Sequence, residues 1–412
     1  MVSKQGYKRK HLRIALLLHK PLPKIPRGVD MAALTIINIL NRLPQVSKVE
    51  IFAISDKDYE EKIKISNNII IQKHVKGYGY PEEGLSRFLD LLGLFIFGFR
   101  PSLILIKKNK KVLDTLANYN PDFIISLSFP VAPIIDGYRL FNKKVKIISY
   151  TDSPEVLSVI FNYLEGTKLP KFFKILIRKL FYKKYIKFHK KVFINFIKSS
   201  DIVVTPTEFD KDEIAKLSGI NKNRIFVIPP VSYRKSEIKK LKPILKIEKI
   251  VFVGACNFWP NLEAIEIIKT KIAPKLRDTE FIIVGKGCKP QKEGNITVIG
   301  EVKELEPILK EASAFIAPIL SGRGIKTKVL TYFLYQKPVI GTSLAFRGYK
   351  VKDNYNAIIE DNIDKIWKRI YELNRNKKLI LKIQKNTTKA IEDFKISKVK
   401  EKWMKVIKHE KR

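Results

Sequence analysis

Near the C-terminal end of the chain, Pro318-Ile-Leu-Ser-Gly-Arg-Gly-Ile-Lys-Thr-Lys-Val-Leu-Thr331 places two glycines and three cations in a turn between an apolar run and a helical pattern. Residues of these types at this spacing suit the capture of a phosphate group. Gly322 and Gly324 let the backbone bend and approach a ligand closely. N–H groups at the helix start, with Arg323, Lys326 and Lys328 beside them, favour an anion. The plain alternative is an ordinary strand-to-helix turn with solvated cations, because isolated glycine motifs are weak signals. Ala314 to Ile319 reads as a short buried strand, Thr327 to Tyr335 as a helix, and Gln336 to Thr342 as helix end, proline and a further buried strand. The turn thus sits inside a strand–helix–strand repeat, which favours the ligand reading.

The elements that must position this turn follow the same alternation along the chain. HLRIALLLH, a helix from Asp30 to Leu43, VEIFAIS, DFIISLS, VKIISYTDS, DIVVTPTE and RIFVIPPV make one series. KIVFVGA, a helix from Asn261 to Leu276, EFIIVGKG, ITVIGEV, a helix from Val302 to Ala312, AFIAPI, a helix and KPVIGTS make a second. Strands alternating with helices predict parallel sheets with crossover helices. The expectation is an α/β fold of two facing doubly wound, Rossmann-like domains, spanning 1–232 and 249–364. A cation-rich linker at 233–248 joins them, and charged helices at 365–412 are free to cross back to the first domain. Domains of this kind bind ligands at the carboxyl ends of their strands.

Composition narrows the partner. The 412 residues carry 80 Lys or Arg against 40 Asp or Glu, a formal charge of +40, with 45% hydrophobic residues to build two cores. Heat adaptation through ion pairs would raise both signs together, so the imbalance points to an anionic partner: nucleic acid, a membrane face or a phosphorylated substrate. Cys256 and Cys288 lack CxxC spacing, which predicts neither a disulfide framework nor a zinc site and suits a reducing, cytoplasmic setting. The apolar runs Ile14 to Leu18 and Leu91 to Phe99 are too short for a signal core or a bilayer span, so the chain reads as soluble or peripheral. Lys171 to Ser200 holds ten Lys or Arg, eight aromatics and no acid, with Phe173, Ile177, Leu180, Phe188, Val192 and Phe196 at helical spacing. Such a stripe either lies on an anionic membrane or packs against its own domain.

In the second series four loops leave strand ends: Gly254-Ala-Cys-Asn257 and onward to Asn261, Gly285-Lys-Gly-Cys288, Gly300-Glu-Val302, and the turn from Ser321 to Lys328. Four such loops at one sheet edge favour a ligand over turn chemistry alone. Asn261 reads as a helix N-cap. This half of the chain resembles the sugar-nucleotide half of GT-B glycosyltransferases, specifically glycosyltransferase family 4. VFVGACNFWPNLEAIE, FIIVGKG, VIGEVKELEPILKEASAFIAPILSGRGIKTKVL and QKPVIGTSLAFRG carry the resemblance, in that family's order and spacing. The resemblance is looser upstream, through DIVVTPTEFDKDEI, RIFVIPPV and HKPLPKIPRGVDMAAL.

The resemblance implies transfer of a sugar from a nucleoside diphosphate, with retention, without a metal and without a further cofactor. On that basis Gly254, Asn257, Lys286, Gly287, Val302, Gly322, Gly324, Ile325, Thr327, Lys328 and Thr331 hold the donor, with Arg323 and Lys326 at the diphosphate. Cations and backbone donors fixed there stabilise charge that develops as the sugar–phosphate bond breaks. Family members carry glutamates where this chain has Arg323 and Thr331, and a cationic pair where it has Ala255-Cys256-Asn257; Lys326 or Lys328 is the replacement cation. In the first series, Asp152 ends a strand and reads as an acceptor base or as a helix cap, and His19 and Gly28 read as acceptor-side residues. Asp56-Lys-Asp58 reads as a solvated loop rather than a metal site. Three functions follow: a glycosyltransferase acting on a glycan or lipid-linked acceptor at the inner membrane face, a nucleic-acid binder or DNA-modifying transferase, and a sugar-nucleotide binder without catalysis.

Overall fold

The computed structural model describes residues 12–18, 22, 29–55, 59–65, 68–76, 110–127, 131–151, 187, 190–231 and 242–409. These divide into two compact units, one holding the described residues up to Val231 together with the last helix, the other those from 242 to Lys395.

In the first unit the apolar runs become strands β1 (Leu12–Leu18), β2 (Val46–Ser55), β3 (Tyr59–Ile65), β4 (Asn68–Lys76), β5 (Phe123–Ser126), β6 (Lys146–Tyr150), β7 (Ile202–Thr205) and β8 (Ile225–Val227). They lie in the order β3-β4-β2-β1-β5-β6-β7-β8. Every pair is parallel except the β3–β4 edge. β1 explains why its sequence is almost continuously apolar: Ile14, Leu16 and Leu18 enter one core while Ala15 and Leu17 enter the other. Helix α1 (Val29–Leu40) supplies the first face, and α2 (Lys110–Tyr119) and α3 (Ala132–Phe141) the second. Helix α4 (Glu208–Ser218) starts where Thr207 accepts the Asp210 N–H at 3.0 Å and stops at left-handed Gly219. The described end of the basic stripe joins this unit too, with Phe193, Phe196 and Ile197 buried in its core and Val192 packed beside them.

The second unit holds β9 (Lys249–Val253), α5 (Trp259–Ile267), β10 (Glu280–Val284), β11 (Gln291–Glu293), β12 (Ile296–Gly300), α6 (Glu306–Glu311), β13 (Ala314–Ala317), α7 (Thr327–Leu334), β14 (Val339–Gly341), β15 (Ile358–Ile359), α8 (Ile366–Asn374) and α9 (Lys377–Asn386). Its sheet runs β11-β12-β10-β9-β13-β14-β15, parallel but for the β11 edge. Ile366, Ile370, Leu373, Ile380 and Ile383 of α8 and α9 are buried in the same core as the sheet. The last helix, α10 (Ile396–His409), instead places Val399, Trp403, Val406 and Ile407 in the core of the first unit. Among the described residues no helix is long and apolar enough to cross a membrane.

Strand order reverses in the second sheet between β9 and β13, which lie side by side at its centre. A crevice at the carboxyl ends of two such strands is where open α/β sheets take their ligands.

Candidate functional site

The loops that leave β9, β10, β12 and β13 meet at that carboxyl edge. Past Val253 and Val284, which pair directly, the first two loops keep running together: the Gly254 N–H donates to Val284 O at 3.0 Å and the Cys256 N–H to Lys286 O at 2.8 Å. The third joins through the Gly285 N–H to Gly300 O at 2.9 Å. Closeness of this order demands a residue without Cβ at Gly285, where an added Cβ would stand 2.0 Å from the Gly254 carbonyl oxygen. Asn257 and Gly287 are exposed neighbours, Lys286 is exposed, and Val302 is half-buried against the core.

The two cysteines overturn a sequence expectation. Cys256 and Cys288 form a disulfide, with 4.9 Å between their Cα atoms, across the β9 and β10 loops. Thirty-two residues of separation hide what the paired strands bring together. Asn261 also departs from its expected role. Pro260 is accommodated in the first turn of α5, the helix begins at Trp259, and Phe258 is the cap residue. Asn261 is therefore a buried residue inside the helix, donating to Ala255 O at 3.0 Å and accepting from the Lys328 ammonium.

Between β13 and α7 the chain forms the basic turn. Gly322 adopts φ of 101° and Gly324 of 63°, the left-handed region that glycine tolerates. Ser321 donates to Glu263 of α5 at 2.9 Å, which anchors the turn to its neighbour. Lys326 donates to the carbonyls of Gly322 at 3.0 Å, Arg323 at 3.0 Å and Gly324 at 3.2 Å. A trans peptide points its N–H opposite its carbonyl, so the N–H groups of Arg323, Gly324 and Ile325 face away from that ammonium in a consecutive array. Tyr349 donates to the Lys326 carbonyl at 2.9 Å, at the start of α7, and Tyr332, further along that helix, accepts the Val253 N–H at the end of β9 at 2.7 Å. Arg323 and Thr327 are exposed, Ile325 is half-buried, and Thr331 donates to Thr327 O at 3.3 Å.

Lys328 is turned inward. Its ammonium lies 4.3 Å from the Phe252 ring centroid and donates to Asn261, so the enclosed end of a half-buried side chain carries the charge. Burial first, and the neighbouring Lys326 charge second, lower its pKa to about 7. An unfolded lysine holds its proton up to its ordinary value of 10.5, so between about 7 and 10.5 the unfolded chain binds the extra proton and stability rises with pH; below 7 the contribution is flat. Lys328→Met is expected to raise the melting temperature of the second unit at pH 7, by an amount worth about 2 kcal/mol, and to flatten its rise toward pH 10. Parallel thermal scans of both proteins across that range measure it; equal slopes would refute the enclosed charge.

The structure thus gathers Gly254, Asn257, Lys286, Gly287, Val302, Gly322, Arg323, Gly324, Ile325, Lys326, Thr327, Lys328 and Thr331 around one sheet edge. Asp152, His19, Gly28, Asp56 and Asp58, and the run Leu91 to Phe99, lie outside the described residues. Asn261 is the residue that the sequence reading assigned only to capping.

Residues 247–376 match the family described as Glycosyl transferases group 1. This domain therefore resembles that of the group 1 glycosyl transferases. No curated protein sequence matches it. Solved structures give the fold of the whole chain as GT-B. The lipopolysaccharide outer core galactosyltransferase WaaB, in its apo form, is 15% identical, with 97% of this chain and 100% of that one covered at a TM-score of 0.61. HepE of Anabaena in complex with UDP and glucose is 11% identical, with 96% and 99% covered and a TM-score of 0.63. The trehalose-6-phosphate synthase OtsA is 10% identical, with 96% and 98% covered and a TM-score of 0.63. The matched region contains every donor-side residue named above.

Proposed function

We propose that this glycosyltransferase binds a nucleoside diphosphate sugar at the β13–α7 turn and transfers the sugar, with retention and without a metal ion, to a glycan or lipid-linked acceptor. The consecutive N–H array of Arg323, Gly324 and Ile325, at the point where strand order reverses, is the observation that carries the reading. Lys326 draws the carbonyls of Gly322, Arg323 and Gly324 to itself, which leaves the N–H groups of the turn on the opposite side for the diphosphate, and Arg323 adds an exposed cation beside them. In the reaction the acceptor hydroxyl oxygen bonds to the anomeric carbon, the bond from that carbon to the diphosphate breaks, and the hydroxyl proton passes to the departing diphosphate. The leaving electron pair stays on the nucleoside diphosphate, where fixed donors stabilise it. HepE was solved with UDP, which makes a uridine diphosphate sugar the first donor to test. The +40 charge supports an anionic acceptor or membrane face on the cytoplasmic side, with Asp152, His19 and Gly28 as acceptor-side residues.

A second reading rests on Arg323 and Thr331 standing where the resembled family carries glutamates, and on the Thr331 hydroxyl already being bonded within its helix. It is a sugar-nucleotide binder without turnover. UDP at a hundred times its dissociation constant is expected to stabilise the second unit by about 2.7 kcal/mol, and Lys326→Ala to abolish that shift. A shift that survives in Lys326→Ala sinks the assignment of the turn. UDP release from a UDP-sugar separates the transferase, which produces it, from the silent binder.

A further inference from the structure

Beyond this reading, and resting on it for the identity of the donor loops, we propose that the Cys256–Cys288 bond is a reversible thiol-exchange site through which small thiols control donor binding. The bond joins the two loops that carry Gly254, Asn257, Lys286 and Gly287, and these cysteines are the chain's only two. Its halves are unequal: Cys256 is partly exposed and Cys288 is 7% exposed. A thiolate such as that of glutathione therefore attacks the Cys256 sulfur; the Cys256–Cys288 bond breaks, and Cys288 departs with the electron pair and takes up a proton. A second thiol resolves the mixed disulfide, giving two protein thiols and one oxidised thiol pair, so two electrons pass to the protein. The reduced state has a place for its buried thiol, because the Cys288 sulfur lies 3.6 Å from the Gly254 carbonyl oxygen and can donate to it.

Freed of the bond, the two loops keep the Gly254 and Cys256 N–H bonds and the weak Cys288 thiol contact with Gly254 O, but lose their one covalent tie. Ordering them again must then be supplied by the donor. Reduction is expected to weaken UDP binding about tenfold, which corresponds to about 1.4 kcal/mol.

The test takes the full chain equilibrated in glutathione buffers from fully oxidised to fully reduced. Three quantities are read at each point: the number of alkylated cysteines by mass, hydrogen exchange of the 254–261 and 285–288 peptides, and the UDP dissociation constant. The proposal expects no alkylation when oxidised and two when reduced, faster loop exchange on reduction, full return on reoxidation, and a Cys256→Ser variant whose UDP affinity is insensitive to glutathione. Two alkylations in the absence of any thiol, or unchanged loop exchange between the states, overturn it. If neither state binds UDP or another nucleoside diphosphate while exchange still responds, the donor reading fails and the thiol site stands. If UDP binds equally in both states, control of the donor is refuted.

Discussion

Gly285→Ala is expected to unfold the edge of the second sheet and to remove nucleotide binding altogether. The new Cβ would meet the Gly254 carbonyl oxygen at 2.0 Å and its carbonyl carbon at 2.5 Å, both main-chain atoms with no rotamer to yield. Relief requires the β9 and β10 loops to part, which breaks the Gly254 and Cys256 N–H bonds that hold them together. Forced overpacking of this kind costs about 3 kcal/mol or more. Gly294→Ala is the matched control. Nothing stands within 4 Å of its added Cβ, and only its φ of +55° is unfavourable, so about 1 kcal/mol is expected there. Thermal melts of the two variants with and without UDP decide the matter: similar stabilities, or retained UDP binding in Gly285→Ala, would show the loops to be tolerant of separation.

The parallel cores were legible because burial on both faces forces continuous apolar runs, as in Leu12–Leu18 and Lys249–Val253. The β3–β4 and β11 edges were not legible. YEEKIKI and QKE are charged runs at the edges of their sheets, which sequence alone cannot tell from a loop. The cysteine pairing was missed for want of register rather than of signal. Val253 pairs with Val284, and Cys256 and Cys288 follow three and four residues later, so aligning the two strands would have brought the thiols together. Asn261 was misread because Pro260 draws the helix start back to Trp259, turning an apparent cap into a buried strut for Lys328. The basic turn was found, yet the division of labour among its lysines was not. Two residues apart on the chain, Lys326 meets three carbonyls and Lys328 meets an aromatic ring and an amide.

Trp403→Ala is expected to destabilise the first unit while leaving the stability of the second unchanged. Val399, Trp403, Val406 and Ile407 recur at the spacing of a single helix face, and all are buried in the first unit's core. Trp403 is 1% exposed and stacks on Tyr150 at the end of β6, with ring centroids 6.4 Å apart and planes 22° from parallel. Truncating so large a buried ring costs about 4 kcal/mol, which lowers the melting point of a unit of this size by about 10 °C. Trp403→Phe keeps most of the apolar contact and should recover about half of the loss. Calorimetry separates the outcomes, since on the proposed donor site the transition that UDP raises is that of the second unit and provides an internal reference. A fall confined to the UDP-independent transition is the expected result, because α10 contributes its apolar face to the first core and none to the second. Equal falls in both transitions would mean that the helix stabilises the chain through some route other than the core it fills.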